Sequence, residues 1–144
     1  MSTLYACLSI ARKAAPEMTL TALLALLFIA RETGARDWKR IPTVKKIAEE
    51  LGLTTSGTAR IVEVLSEGRT HGVKANKGLG LIISAHMFEG RAAPYFLSPK
   101  GVVLIKQMLN DLAPGSAERF QPYDEGAMLL LAVAKASKHA DYRD

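Results

Sequence analysis

Within seven residues, Thr54-Thr55-Ser56-Gly57-Thr58-Ala59-Arg60, the chain places four hydroxyls, a glycine and a guanidinium. That set suits contact with nucleic acid. Small hydroxyls and glycine permit close approach, arginine pairs with base edges or phosphates, and helix N-terminal amides favour a phosphate. Arg60 is the best single candidate for DNA contact, on a helix face apart from Ile61 and Leu65; the alternative is an ion pair with Glu63 or Glu67 on its own helix. Lys45 and Lys46 could touch the DNA backbone or pair with Glu49 and Glu50 at i+4. Lys74, Lys77 and Arg91 complete the candidate DNA-contacting set.

Other chemistries find less support. Cys7, the single cysteine, excludes an internal disulfide framework and a multi-thiolate zinc site and suits a reducing cytoplasm. The commoner fate of such a free cysteine is that of a small buried side chain. His71, His86 and His139 are scattered, with no i,i+4 metal pair. No nucleophile–base pair, phosphate loop or paired carboxylates stand out, so the expectation is a binding protein without cofactor, not an enzyme.

These side chains need elements to position them. Helical spacing is expected over residues 2–15, ended by Pro16, and over 18–32, where MTLTALLALLFIARE is apolar on nearly every side. A helix of that kind must be covered from several directions, and Gly34 is its natural stop. Thr43 caps a short helix over 44–51, with Val44, Ile47, Ala48 and Leu51 on one face. After the turn Gly52-Leu53-Thr54 a second helix runs over about 55–67, with Ala59, Ile61, Val62 and Leu65 as buried positions. Ala48 where helices cross, Gly52 in the turn and Ile61 as a lock are the spacing of a helix–turn–helix. Residues 69–80, rich in glycine and basic side chains, read as a loop; 81–88 as a strand; 94–97 as its return, with Pro94 at an edge. Ser98-Pro99 begins a helix to about Leu112, a polar loop covers 116–123, and a last helix covers about 124–139. The order is that of a mainly helical winged helix–turn–helix with a small hairpin and extra helices at both ends. It forms a single domain, with residues 38–101 as the DNA-binding region and 1–36 and 102–144 as helical flanks.

The distribution of charge agrees. The 144 residues are 49% hydrophobic and 23% charged, with a net charge of +5. Residues 38–101 hold ten basic and five acidic side chains, so the whole excess falls there; the flanks balance at nine and nine. The basic middle suits a polyanion and the apolar ends suit packing. No apolar run approaches the roughly 20 residues of a membrane span, and Arg12 and Lys13 follow the first apolar residues, the wrong order for a signal peptide.

With these features placed, the chain resembles the MarR family of dimeric winged-helix repressors. The resemblance rests on Met18–Glu32 as a long buried helix, on KKIAEELGLTTSGTARIVEVLSEGR from Lys45 to Arg69, and on EGRAAPYFLSPKG from Glu89 to Gly101. In the last, Glu89 and Arg91 stand for the D-x-R wing turn, and Leu97, Ser98 and Gly101 for the Leu-Thr-x-x-Gly that opens the next helix. The resemblance implies a cytoplasmic transcriptional regulator, a repressor. It would act as a homodimer through the terminal helices on a pseudo-palindromic duplex. Helix 55–67 would enter the major groove, and the wing over 81–97 would set Arg91 toward the minor groove or phosphates. It also implies a small-molecule effector pocket between the dimer helices and the wing, although nothing in the chain names a ligand, and it makes Cys7 a candidate redox residue, since some members sense oxidants through a cysteine in the first helix. Departures are Gly90 in place of an arginine, Thr58 where a larger apolar side chain is usual, and the longer segment 69–80. Two rival expectations are a protein-interaction adaptor on the same scaffold and a replication or segregation factor that binds DNA without regulating transcription.

Overall fold

The computed structural model describes residues 2–34, 40–66, 78–84 and 94–122. Its elements are α1 (Ser2–Ala14), α2 (Leu20–Gly34), α3 (Val44–Leu51), α4 (Thr55–Leu65), β1 (Ile82–Ser84), β2 (Tyr95–Leu97), α5 (Pro99–Leu112) and α6 (Ser116–Arg119). Among the described residues the chain is therefore mainly helical, with one small two-stranded antiparallel sheet.

Local chemistry sets most of the boundaries. α2 starts two residues later than the apolar pattern suggests, because the Thr19 hydroxyl accepts from the amide of Ala22 at 3.1 Å and caps the helix there. Thr43, Thr54 and Ser98 cap α3, α4 and α5 in the same way, accepting from Lys46, Gly57 and Gly101. α3 stops at Gly52, whose left-handed φ of 67° lets its amide and that of Leu53 both turn back to the Ala48 carbonyl. α4 ends at Leu65, short of the expected 67. Its last carbonyls are satisfied by the returning chain: the amides of Leu79, Gly80 and Leu81 donate to Val64, Ser66 and Leu65. The segment expected as a polar loop after α5 opens with the single turn α6. There Gly115, with a φ of 86°, reverses the chain, and the Ser116 hydroxyl donates to the carbonyls of Leu109 and Ala113.

The sheet pairs Ile82 with Leu97, Ile83 with Phe96 and Ser84 with Tyr95. The Tyr95 amide donates to the Pro42 carbonyl at 2.9 Å, which ties the outer edge of β2 to the segment before α3. The remainder of the expected strand and its turn, residues 85–93, and the expected last helix over 124–139 lie outside the described residues.

α2 runs through the middle of the core. Leu26, Ile29 and Ala25 are fully buried among Ile47 of α3, Val62 and Leu65 of α4, Ile82 and Leu97 of the sheet, and Leu104, Ile105 and Met108 of α5. α1 packs against α5 through Cys7 and Ala11. The expected need for cover on several sides of α2 is met by α3, α4, β2 and α5. One side remains open, with Leu20, Leu24 and Leu27 exposed. No helix among the described residues is long and apolar enough to cross a membrane.

Candidate nucleic-acid interface

The α3–α4 corner is held from beneath. Ile47 and Ala48 of α3 and Thr58, Val62 and Leu65 of α4 face the core, and Ile61 is half-buried against it. The three-residue turn from Gly52 to Thr54 leaves the two helices in contact. This fixes what the outer side presents: Thr54, Thr55, Ser56, Ala59 and Arg60 are exposed, and Gly57 is half-buried. Neither helix carries an acid in its first turn. The Thr54 hydroxyl serves the Gly57 amide at 3.1 Å, and the Thr54 carbonyl serves the Thr58 amide at 3.0 Å. The amides of Thr55 and Ser56 precede the first intrahelical bond, where a helix has its partial positive charge.

Two expectations for α4 need correction. Thr58 was expected to project outward with the DNA-contacting set; it is fully buried. Its hydroxyl donates to the Thr54 carbonyl at 2.8 Å, so a polar side chain fills a core position without an unsatisfied group. Ala59, expected to be buried, is exposed instead. The two residues are adjacent, and a rotation of about 100° per residue puts one inward and the other outward.

Arg60 is exposed and makes no ion pair among the described residues; neither Glu63 nor any other acid claims it. Lys45 and Lys46 are exposed on α3. Glu50, at i+4 from Lys46, also receives Arg31 of α2 at 3.5 Å. Lys74, Lys77 and Arg91 lie outside the described residues, as does Trp38.

Two members of the basic segment hold the fold together rather than face outward freely. Arg40 grips Glu32 of α2 with two of its guanidinium nitrogens, Nε to Oε2 at 2.7 Å and Nη2 to Oε1 at 3.3 Å, and Arg31 donates to the same carboxylate at 3.0 Å. The Arg40 bond, joined by Arg31, outweighs burial and draws the Glu32 carboxyl below its ordinary value. Arg31 also lies over the Phe28 ring, 5.3 Å from its centre. This chain of charges ties the end of α2 to the residues leading into α3 and to α3 itself. Lys100 donates to the Leu79 carbonyl at 3.0 Å and so pins the strand entry to the start of α5. Sequence reasoning missed the Glu32 clasp. The available signal was a lone acid inside an otherwise apolar helix, which must find a cation when buried.

Gly101 has a stronger reason to be glycine than its place in a motif. A Cβ there would collide with the carbonyl oxygen of Leu81, because the first turn of α5 lies directly on the chain entering β1. Cys7 is buried between α1 and α5, and burial together with Asp111 pushes its thiol up. Both work against the exposed thiolate that an oxidant sensor needs, so the redox expectation gains no support. Among the described residues no three His, Cys, Asp or Glu side chains converge in a way that could hold a metal ion.

No family model and no solved structure matches the chain. Among curated proteins it is similar to a lysine–tRNA ligase of Carboxydothermus hydrogenoformans, 27% identical over 117 residues. The match takes in 76% of this chain and 24% of the ligase, so the chain spans about a quarter of that protein's length.

Proposed function

We propose that the chain is a sequence-specific double-stranded DNA-binding regulator of the winged helix–turn–helix type, a divergent relative of the MarR repressors, acting as a homodimer and without catalytic activity. The observation that carries this reading is the outer side of the α3–α4 corner. It combines an Arg60 with no ion pair among the described residues, exposed hydroxyls of Thr55 and Ser56, two exposed lysines and helix starts free of acids, all on a buried base. α4 is the recognition helix: its exposed first half enters the major groove, where Arg60 reads a base edge and Thr55 and Ser56 fix the backbone. Lys45 and Lys46 add sequence-independent phosphate contacts. The β1–β2 pair is the base of the wing, and Arg91 belongs to the segment of the chain between the two strands. Leu4, Tyr5 and Leu8, exposed on α1, support self-association of the terminal helices.

The test is duplex binding by the full chain across a salt series. The reading expects affinity that falls steeply with salt, and Arg60→Ala to cost about 1–3 kcal/mol with relaxed choice at one base position. Lys45→Ala/Lys46→Ala should weaken all duplexes alike and flatten the salt dependence. Salt-independent binding, or an Arg60→Ala protein that binds as tightly as the parent, contradicts the proposal.

A further inference from the structure

The short segment Arg40-Ile41-Pro42-Thr43 joins α2, α3 and β2. Arg40 holds both carboxylate oxygens of Glu32 on α2, at 2.7 Å and 3.3 Å. Ile41 and Pro42 are buried. The Pro42 carbonyl accepts from the Tyr95 amide of β2 at 2.9 Å. The Thr43 hydroxyl caps α3, and the exposed Lys45 and Lys46 follow within its first turn. α3 and β2 therefore meet on one segment, and Glu32 ties the start of that segment to the core helix. The second link from α2 to α3 is weaker. Arg31 and Glu50 are 3.5 Å apart with side chains 61% and 48% exposed, a pair that water and salt screen. A two-bonded guanidinium on a buried carboxylate is stronger and fixes direction as well as distance. The position of α3 is thus set at its start, through Arg40, more than at its end.

We infer that Glu32 is a positioning residue for duplex binding: by holding Arg40 it fixes residues 40–43, and through them the placement of Lys45 and Lys46 on α3 relative to the β1–β2 pair. The inference rests on the DNA-binding reading and adds to it a residue that touches no DNA. The Glu32 side chain is only 9% exposed, behind the guanidinium that covers it, so its influence on a duplex must pass through Arg40. Charge and position then predict opposite signs. On charge alone, removing an anion from the protein tightens its hold on a polyanion, and removing the Arg40 cation loosens it. If the clasp positions the surface, removing either member loosens binding alike, because each acts only while the other is present.

The experiment measures duplex binding by the full chain and by Glu32→Gln, Arg40→Gln and the double variant across a salt series, with the binding-competent fraction of each counted by titration. Each single variant should bind about three- to tenfold more weakly than the parent. The double variant should bind no more weakly than either single one. The salt slope of Glu32→Gln should be shallower by about one, since misplaced lysines make fewer phosphate contacts. A loss of folded protein alone lowers the competent fraction and leaves that slope unchanged. Hydrogen exchange without DNA gives a second readout. In Glu32→Gln the amides of α3 and of Tyr95 should exchange faster while those of α1 keep the parent's rates. If the parent binds duplex and Glu32→Gln binds as tightly or more tightly, the inference is overturned and the DNA reading stands. Exchange that rises equally throughout the chain also overturns it, because the clasp would then serve stability alone. A parent that binds no duplex removes the DNA reading and this inference with it.

Discussion

Two helix starts in this protein are built alike and set in opposite surroundings. α4 begins Thr54-Thr55-Ser56-Gly57 and α5 begins Ser98-Pro99-Lys100-Gly101; in each a hydroxyl accepts from the amide of a glycine three residues on, at 3.1 Å and 3.0 Å. At α5 the cap is buried. Ser98 also donates to the Gly80 carbonyl, and Gly101 sits against Leu81, so the turn joins helix to sheet. At α4 the same cap is exposed, and a Cβ on Gly57 would meet only the Thr54 hydroxyl, at 3.0 Å. The cap geometry therefore does not tell a helix start buried against the sheet from one open to solvent. What lies outside it does: a carbonyl in one case, open solvent beside Arg60 in the other.

The sharpest way to break this comparison is Gly101→Ala. Backbone must move to admit the methyl, so a loss of about 3 kcal/mol or more is expected in denaturant unfolding. A variant within about 1 kcal/mol of the parent would remove the distinction. Next in size, Ser98→Ala loses a cap and a buried donor at once and should cost about 2 kcal/mol, against about 1 kcal/mol for the exposed Thr54→Ala, both measured by thermal melts. Equal losses would mean the two caps are equivalent after all.

The same contrast holds for cations. Arg40 is committed to Glu32, whereas Arg60 meets no acid among the described residues. Glu32→Gln should cost about 1–2 kcal/mol at neutral pH. The carboxyl is held below its ordinary value of 4.5 in the folded chain, so its contribution is present above that value and is lost as the pH falls through the lowered one. On acidification the parent should consequently lose more stability than Glu32→Gln, and the two should converge; parallel curves would contradict the clasp. The smallest effect belongs to Gly57→Ala. Helix propensity favours alanine and the close Thr54 hydroxyl opposes it, so stability should stay within about 0.5 kcal/mol while duplex affinity falls.

Much of this was legible in the chain. The helix starts at Thr43, Thr54 and Ser98-Pro99 and the glycine stop of α3 are local signals, and the structure places each of them as a helix boundary or beside one, whereas the Thr19 cap of α2 was hidden by the apolar pattern that runs through it. Thr58 was misjudged because hydroxyl chemistry suggests solvent; in a helix its oxygen can instead bond the carbonyl four residues back and leave the methyl to the core. The Glu32–Arg40 clasp was hidden because it joins α2 to a residue just ahead of α3, across a loop whose path no local pattern reveals. Gly101 could be recognised as a motif position, but the collision with Leu81 depends on how α5 crosses the sheet. The charge count was informative in sum and coarse in detail: of the ten basic residues in the middle segment, Arg40 and Lys100 are bonded into the fold, and Lys45, Lys46 and Arg60 are exposed on the proposed surface.

The central claim is that the exposed side of the α3–α4 corner reads duplex DNA. Selection of bound duplexes from a random pool by the full chain tests it most directly. The account predicts an enriched pseudo-palindrome with half-sites about one helical turn apart, and loss of one conserved base pair in each half-site when the selection is repeated with Arg60→Ala. No enrichment over the starting pool, or the same enriched sequence with Arg60→Ala, would contradict it.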